Sequence, residues 1–407
     1  MPNNPMLEQL QRKAQTELHD NILPFWLNHT RDKVRGGFYG EISNDLQVDE
    51  EAPRGALLTA RILWTFAAAY RRRQEPSYLA MARHAFEDLL ERFWDETYGG
   101  LYWMVAADGT PLRPRKQIYG QAFGIYALAE YFAATQDDAA LTKARELYAL
   151  IDEHAYDPDH KGYFEAFTRE WELAEDMRLS EVDENEKKSM NTHIHLMEAF
   201  TNLLRVWPDA DLETRQTELL EVMMTRIIDP ATYHTTLFFD EAWTPQSVNI
   251  SHGHDIETSW LLVEAAEVLG SEPILAQAER LSIQMAQAIY DEGRDPDGAI
   301  PYEEGPEGWV DDTKQWWPQA EAAVGFLNAY QLTGAEHFFE AVQRSWAFIE
   351  AYLIDREHGG WYRYVTRDHQ RDEDTPKVSF WKAPCHNGRA CMELTDRLST
   401  LLASSSA

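Results

Sequence analysis

The chain carries 407 residues, with Lys+Arg 37 against Asp+Glu 69 and a formal net charge of −32. So acidic a surface speaks against nucleic acid or an anionic membrane as a partner, since both are themselves negative. No apolar run reaches membrane-spanning length and the polar stretch Met1–Asp20 lacks a signal-peptide core, so a cytoplasmic protein is expected.

In chain order, two kinds of helical periodicity alternate around a short motif of Gly followed by alternating aromatics. A pattern over Leu7–Leu27 precedes Gly36-Gly-Phe-Tyr-Gly40, and a second pattern follows over Arg54–Tyr70. Tyr78–Phe93, Gly99-Gly-Leu-Tyr-Trp103 and Gln117–Ala133 repeat the scheme, as do Leu141–His154, Gly162-Tyr-Phe-Glu165 and Asn191–Val206. A fourth set, Leu212–Ile228, Leu237-Phe-Phe-Asp240 and Asp255–Leu269, lacks the Gly pair. Ile274–Ile289, Gly298-Ala-Ile-Pro-Tyr302 and Trp317–Leu332 make the fifth, and Ala335–Leu353, Gly359-Gly-Trp-Tyr362 and Asn387–Leu402 the sixth. Each aromatic motif reads as a short strand, often the first arm of a hairpin.

The second helix of each set is the more apolar and small-residue-rich, as in Gly120-Gln-Ala-Phe-Gly-Ile-Tyr-Ala-Leu-Ala129, which marks it as buried. The prediction is an all-α fold, an (α/α)6 barrel of six helical hairpins with short β-hairpins in the connecting loops at one end. It would be a single domain over residues 1–407, with an open solenoid as the structural alternative. The charged stretch Arg178–Ser189 has no periodicity and reads as a loop at the same end, either a lid or a solvated surface. The closing Ser404-Ser-Ser-Ala407 is expected to fray.

Polar side chains that a core would not choose gather at the starts of the second helices. They include Arg61, Tyr119 with Gln121, Asn191 with His193 and His195, and His254 with Glu257. Trp316, Trp317 and Glu321 open the fifth such helix, and Trp381, His386 and Arg389 surround the start of the sixth. If these helices run parallel around a ring, their starts converge on one mouth, where helix dipoles suit a developing oxyanion. Glu257, three residues after His254, shares its face and can orient the imidazole. His193 and His195 cannot both face one site, because two residues turn a helix by about 200°; His193 is the one free to cap or pack.

The bland readings stand beside this one. Arg61 could be a buried ion-pair member, and the tryptophans could be core, although Trp316-Trp317-Pro318 makes a stiff ledge for a sugar face. Cys385 beside His386 has the look of a nucleophile and base, but sequence neighbours rarely face each other. With Cys391 it makes no disulfide framework or zinc knuckle, so packing is the expected role of both. His193, His195, His252, His254, His386 and Glu257 could supply metal ligands, yet no zinc spacing such as His-Glu-x-x-His occurs. Glycoside hydrolysis would need two carboxylates flanking the bond, whereas the converging groups are mainly histidine, arginine and tryptophan.

Several segments together resemble the N-acylglucosamine 2-epimerase superfamily, and within it the cellobiose 2-epimerases. The resemblance runs from Asn21-Ile-Leu-Pro-Phe-Trp26 to His386-Asn-Gly-Arg-Ala-Cys391. Its most specific pieces are Ala52-Pro-Arg-Gly55, Arg61-Ile-Leu-Trp-Thr-Phe-Ala-Ala-Ala-Tyr70, Ser189-Met-Asn-Thr-His-Ile-His195, Gly253-His-Asp-Ile-Glu257, Trp316-Trp-Pro-Gln-Ala-Glu321 and Phe380-Trp-Lys382. One departure is Cys385, where the family pattern has a tyrosine.

The resemblance implies an (α/α)6 barrel with His254 and His386 as catalytic histidines and His195 as a third essential one. It matches Arg61, Tyr119, Asn191, Glu257, Trp316 and Trp381 to positions lining the sugar site, and Glu321 is counted with the substrate-binding residues. The expected reaction is epimerisation at C2 of the reducing-end glucose of β-1,4-linked disaccharides through an enediolate. One histidine removes the proton and the other returns one on the opposite face. Aldose–ketose isomerisation, or 2-epimerisation of N-acylglucosamine or mannose, is the nearest alternative. No metal, nicotinamide or other cofactor is implied, and the partner is a small sugar, with the chain a monomer or weak homodimer.

Overall fold

The computed structural model describes residues 4–404. Ser404 closes the last helix, and the remainder of the tail expected to fray lies outside the described residues.

The outer helices are α1 (Asn4–Thr16) with α2 (Leu23–His29), α4 (Pro76–Asp88), α6 (Asp138–His154), α8 (Ala210–Val222), α10 (Glu272–Asp291) and α12 (Glu336–Phe348). The inner helices are α3 (Ala56–Arg72), α5 (Ile118–Thr135), α7 (Met190–Val206), α9 (His252–Leu269), α11 (Trp316–Thr333) and α13 (Cys385–Ser404). Outer helices bury one stripe: α10 hides Ala278, Ser282, Met285 and Ile289, spaced three or four apart, with Ala286 beside them. Inner helices are buried nearly all round, and α5 hides every residue from Ile118 to Tyr131. Close approach demands small residues there. A Cβ on Gly124 would come within 2.7 Å of Leu101 and 2.8 Å of Leu147.

Each inner helix packs on the next, α3 on α5, α5 on α7, α7 on α9, α9 on α11, α11 on α13, and α13 back on α3. The ring is therefore closed, which sets the open solenoid aside. Hairpin pairing differs in phase from the sequence expectation. The tight turns join an inner helix to the outer helix that follows it, so α3 packs on α4 and α11 on α12, while α13 closes the circle on α1. A short turn makes antiparallel neighbours; the longer strand-bearing connections lead to the next unit.

The strands also sit differently. The aromatic motifs make single bridges back to the end of the outer helix, as in Trp94 with Leu101, Tyr156 with Tyr163 and Ile354 with Trp361. Two-residue strands follow, and they pair with residues just before the inner helix of the previous unit. Met104–Val105 pairs with Arg54–Gly55, Ala166–Phe167 with Lys116–Gln117, Phe238–Phe239 with Lys188–Ser189, and Tyr364–Val365 with Lys314–Gln315. Bridges Ile250 to Glu304 and Ile42 to Val378 complete the circuit. Local hairpins are present as well, for example at Glu303–Gly305 with Gly308–Asp311. The mouth is thus rimmed by pairings between neighbouring units.

Buried cations pin the same rim. Arg54 pairs with Asp32, Lys116 with Asp95, Lys188 with Asp157, Lys314 with Asp295 and Asp297, and Lys377 with Asp355. Lys188 and Ser189 correct the reading of Arg178–Ser189 as loop throughout. They form a strand, and Lys188 is fully buried because Asp157, at 2.6 Å, and two backbone carbonyls take its ammonium.

Candidate active site

The inner-helix N-termini converge on a cavity of about 240 Å³ that is open at the strand-bearing end. Arg61, Tyr119, Asn191, His195, His254, Glu257, Trp316, Trp381 and His386 all line it. These groups come from six different inner helices or the segments just before them, which is why only ring closure brings them together.

His254 lies in the first turn of α9, with Nδ1 2.7 Å from Ser251 Oγ and its ring centroid 4.6 Å from that of Trp317. His386, in the first turn of α13, donates Nδ1–H to Glu321 Oε1 at 2.7 Å, and its ring is 5.7 Å from the same tryptophan. His195 donates Nδ1–H to Glu198 Oε2 at 2.9 Å. Burial pushes His254 down to about 3 and His386 down to about 4, and it also lowers His195, so all three imidazoles are neutral near pH 7. The carboxylates on Nδ1 leave Nε2 of His195 and His386 as a lone-pair nitrogen, hence a base.

Arg61 is held by Tyr119, whose hydroxyl accepts from Nη2 at 2.7 Å, and by the Trp381 carbonyl at 3.1 Å. Its guanidinium stacks 4.4 Å over Phe123, while Nε is buried with no partner among the described residues. Asn191 Oδ1 is likewise buried and unpaired. Both residues line the cavity, and an unmet buried donor or acceptor costs about 1–3 kcal/mol.

Behind the histidines lies a buried charge cluster. Arg389 donates to Glu198, to Glu257 at 2.7 Å and to Glu321 at 2.8 Å. Glu321 also accepts from Trp260 Nε1 at 3.0 Å. Burial and the Glu321 charge push Glu257 well above the usual carboxylate range. Glu321 stays low despite burial because Arg389 and His386 stabilise its anion. One proton is therefore kept on Glu257, whose Oε2 has no partner among the described residues.

Two expectations are corrected here. Glu257 does not orient His254, since Arg389 claims it and Ser251 takes His254 Nδ1; a helical side chain leans toward the N-terminus, here toward Ser251. Glu321 is not part of the sugar wall: it is fully buried behind His386. His193 packs as one of its readings held, accepting from Tyr163 N–H at 2.9 Å and bonding the Ser189 carbonyl. Burial raises the Cys385 thiol to about 12, so it is no nucleophile at neutral pH. The residues weighed as possible metal ligands are scattered, with His193 and His252 off the cavity wall. Glu257, Glu321 and His386 do lie close together, but Arg389 is already paired with both carboxylates.

Sequence reading missed Glu198 and Glu321 as histidine partners, and the cavity walls formed by Tyr302, Gln315 and Arg363. His195-x-x-Glu198 carries the same three-residue spacing that was noted at His254, so that pair was findable. Leu179, Ser180, Val182 and Asp183, from the charged loop, also line the cavity. No helix among the described residues is long and apolar enough to cross a membrane.

Fold and cavity together define a closed (α/α)6 barrel with histidines, an arginine and tryptophans at the inner-helix starts. The profile of the N-acylglucosamine 2-epimerase (GlcNAc 2-epimerase) family matches residues 37–385. A cellobiose 2-epimerase of Bacteroides fragilis is 43% identical over 96% of this chain and 99% of that protein. A cellobiose 2-epimerase of Ruminococcus albus is 40% identical over 94% and 97%. The solved structure of the cellobiose 2-epimerase from Bacillus thermoamylovorans superposes with a TM-score of 0.92 at 40% identity, covering 96% of this chain and 100% of that one. The chain belongs to the N-acylglucosamine 2-epimerase family, and epimerases are isomerases.

Proposed function

We propose that residues 1–407 act as one catalytic domain that inverts C2 of the reducing-end glucose of β-1,4-linked disaccharides, turning cellobiose into glucosyl-mannose and lactose into epilactose. The observation that carries this reading is that His254 and His386, neutral and on different inner helices, flank one Trp317 ring in one cavity. Inversion next to an aldehyde needs a base on each face, and two such histidines supply them. The three relatives named above are cellobiose 2-epimerases by name, which supports the substrate class.

In this mechanism the pyranose opens, and one of His254 and His386 takes the C2 proton. The other returns a proton from the opposite face of the enediolate, and the roles exchange in reverse. Arg61, on the cavity wall, stabilises the developing oxyanion, assisted by His195. Glu257 lines the wall as a neutral acid able to donate to a sugar oxygen. Tyr119 and Asn191 position the substrate, and Trp316 and Trp381 stack on the sugars. The chemistry calls for neither a nicotinamide nor a metal. The buried glutamates behind the wall are engaged by Arg389 and histidines, which favours this reading over glycoside hydrolysis. The net charge of −32 disfavours self-association, so a cytoplasmic monomer or weak homodimer belongs to the same proposal.

The test is proton NMR of cellobiose and lactose in heavy water with metal-stripped enzyme. Deuterium at C2 with the mannose-ended epimer is the expected result, abolished in His254→Asn and His386→Asn. Ketose as the main product would move the assignment to aldose–ketose isomerase, and released glucose would move it to a hydrolase.

A further inference from the structure

Arg54, Lys116, Lys188, Lys314 and Lys377 on the rim each meet an aspartate. Arg363, which lines the cavity, does not. Its half-buried guanidinium has no hydrogen bond or ion pair among the described residues. The backbone beneath it is fixed, because the Arg363 carbonyl accepts from the Trp316 amide at 2.9 Å and the next two residues pair with Lys314–Gln315. Burial lowers the pKa of the guanidinium, and the groups acting against this are the Tyr302 and Tyr364 phenols and then Asp372. Asp372 is itself held by the amides of Asp374 and Thr375, both at 3.2 Å.

The surroundings do not supply the missing anion. Lys382 is buried, with Nζ 5.1 Å over the Trp316 ring and no carboxylate partner among the described residues. Burial holds its pKa well below the usual range, and the charges of Lys377 and Arg363 lower it further. Of the acids on the cavity wall, Glu257 keeps its proton, and Asp183 is tied by the Ser180 amide at 2.9 Å while burial raises its pKa. Arg61 and Arg363 therefore make the lining positive inside a chain of net charge −32. That overall charge is screened over about 10 Å at moderate ionic strength, so within the cavity the nearest charges decide. Arg363 also comes from a rim connection rather than an inner helix. Its neighbour Tyr302 stands edge-on, 6.1 Å from Trp317, the ring that His254 and His386 flank.

We propose that Arg363 receives a carboxylate on the sugar beyond the reacting one, so that the enzyme also epimerises β-1,4-linked disaccharides whose non-reducing unit is a uronic acid. This rests on the C2-epimerase reading above. With the reducing-end glucose held between His254 and His386, the second ring extends toward the open, strand-bearing end where Arg363 stands. The planar guanidinium matches a C6 carboxylate with two parallel N–H···O bonds. A neutral C6 hydroxyl meets the same group with fewer bonds and leaves its charge uncompensated. The chemistry at C2 is unchanged; the charge of the admitted sugar is what Arg363 sets.

The test is C2 proton exchange in heavy water, followed by NMR, for cellobiose and for glucuronosyl-β-1,4-glucose. The parent should exchange the acidic sugar with a kcat/KM at least equal to that for cellobiose. Arg363→Met should lower the ratio of the two, acid over cellobiose, by about 10–100-fold, the worth of one charge-assisted contact. Arg363→Lys should recover part of that ratio. Added sodium chloride should slow the acidic sugar more than cellobiose in the parent, a readout that needs no variant. A parent that exchanges cellobiose but not the acid overturns the proposal and leaves the epimerase reading standing. An unchanged ratio in Arg363→Met, or an equal response of both sugars to salt, does the same. Exchange of neither sugar overturns both.

Discussion

Glu321 fixes the tautomer of His386 through a 2.7 Å hydrogen bond to Nδ1, as Glu198 does for His195 at 2.9 Å. His254 has the Ser251 hydroxyl at Nδ1 where the other two have a carboxylate. A neutral amide in place of Glu321 removes the anion that supports an imidazolium at His386. Glu321→Gln should therefore lower the rate of C2 proton exchange by about 10²-fold with little change in KM, within the range of one acid–base contribution. The fold should persist, because Arg389 keeps Glu198 and Glu257, and Glu257 can ionise once its neighbour is neutral. An unchanged exchange rate would remove Glu321 from the positioning of His386.

At the scale of elements, the inner-helix starts depend on buried polar groups that sequence periodicity does not register. Glu165 accepts from the Ser189 amide and from the Thr192 hydroxyl, both at 2.6 Å, at the start of α7. Burial pushes its carboxyl up from 4.5 to about 8. The folded state thus holds a proton that the unfolded state releases above about pH 4.5. The stability this contributes is complete below that value and is lost as pH rises through about 8. Urea midpoints measured from pH 5 to pH 9 should fall less steeply in Glu165→Gln than in the parent. At the rim, Lys377→Met would leave Asp355 buried without its ammonium. A loss of about 3–5 kcal/mol is expected, and a change under 1 kcal/mol in chemical denaturation would show that the pair does not hold α13 in place.

The whole molecule buries several histidines in neutral form around one ring. His193 and His254 are pushed down to about 3 and His386 to about 4, in each case chiefly by burial, from an ordinary value of 6.5. Below pH 6.5 the unfolded chain takes up protons that the folded chain refuses. The corresponding stability is complete above 6.5 and is lost as pH falls from there toward 3. Acid titration of the folded fraction should show this loss, and His193→Gln, off the cavity wall, should reduce its slope without altering C2 exchange at pH 7. A slope identical to the parent would mean that His193 is not held neutral.

The sequence by itself determined the number of units, which helix of each pair is inner, and the end of the barrel where chemistry collects. Those follow from local rules: helical periodicity, small-residue content, and polar residues placed in the first turns of α5, α7, α9, α11 and α13. It also placed His195, His254, His386 and Arg61 in one cavity, because all sit within the first two turns of parallel helices. Only the tertiary structure decided the partners. Glu257 shares a face with His254 in sequence, yet Arg389, 132 residues away, takes its carboxylate. Glu321 reaches His386 across 65 residues, and Lys188 leaves a charged loop to meet Asp157 inside. Spacing along a helix states which groups can meet; in a low-dielectric interior the strongest available counter-charge takes each carboxylate, and that counter-charge arrives only when the ring closes.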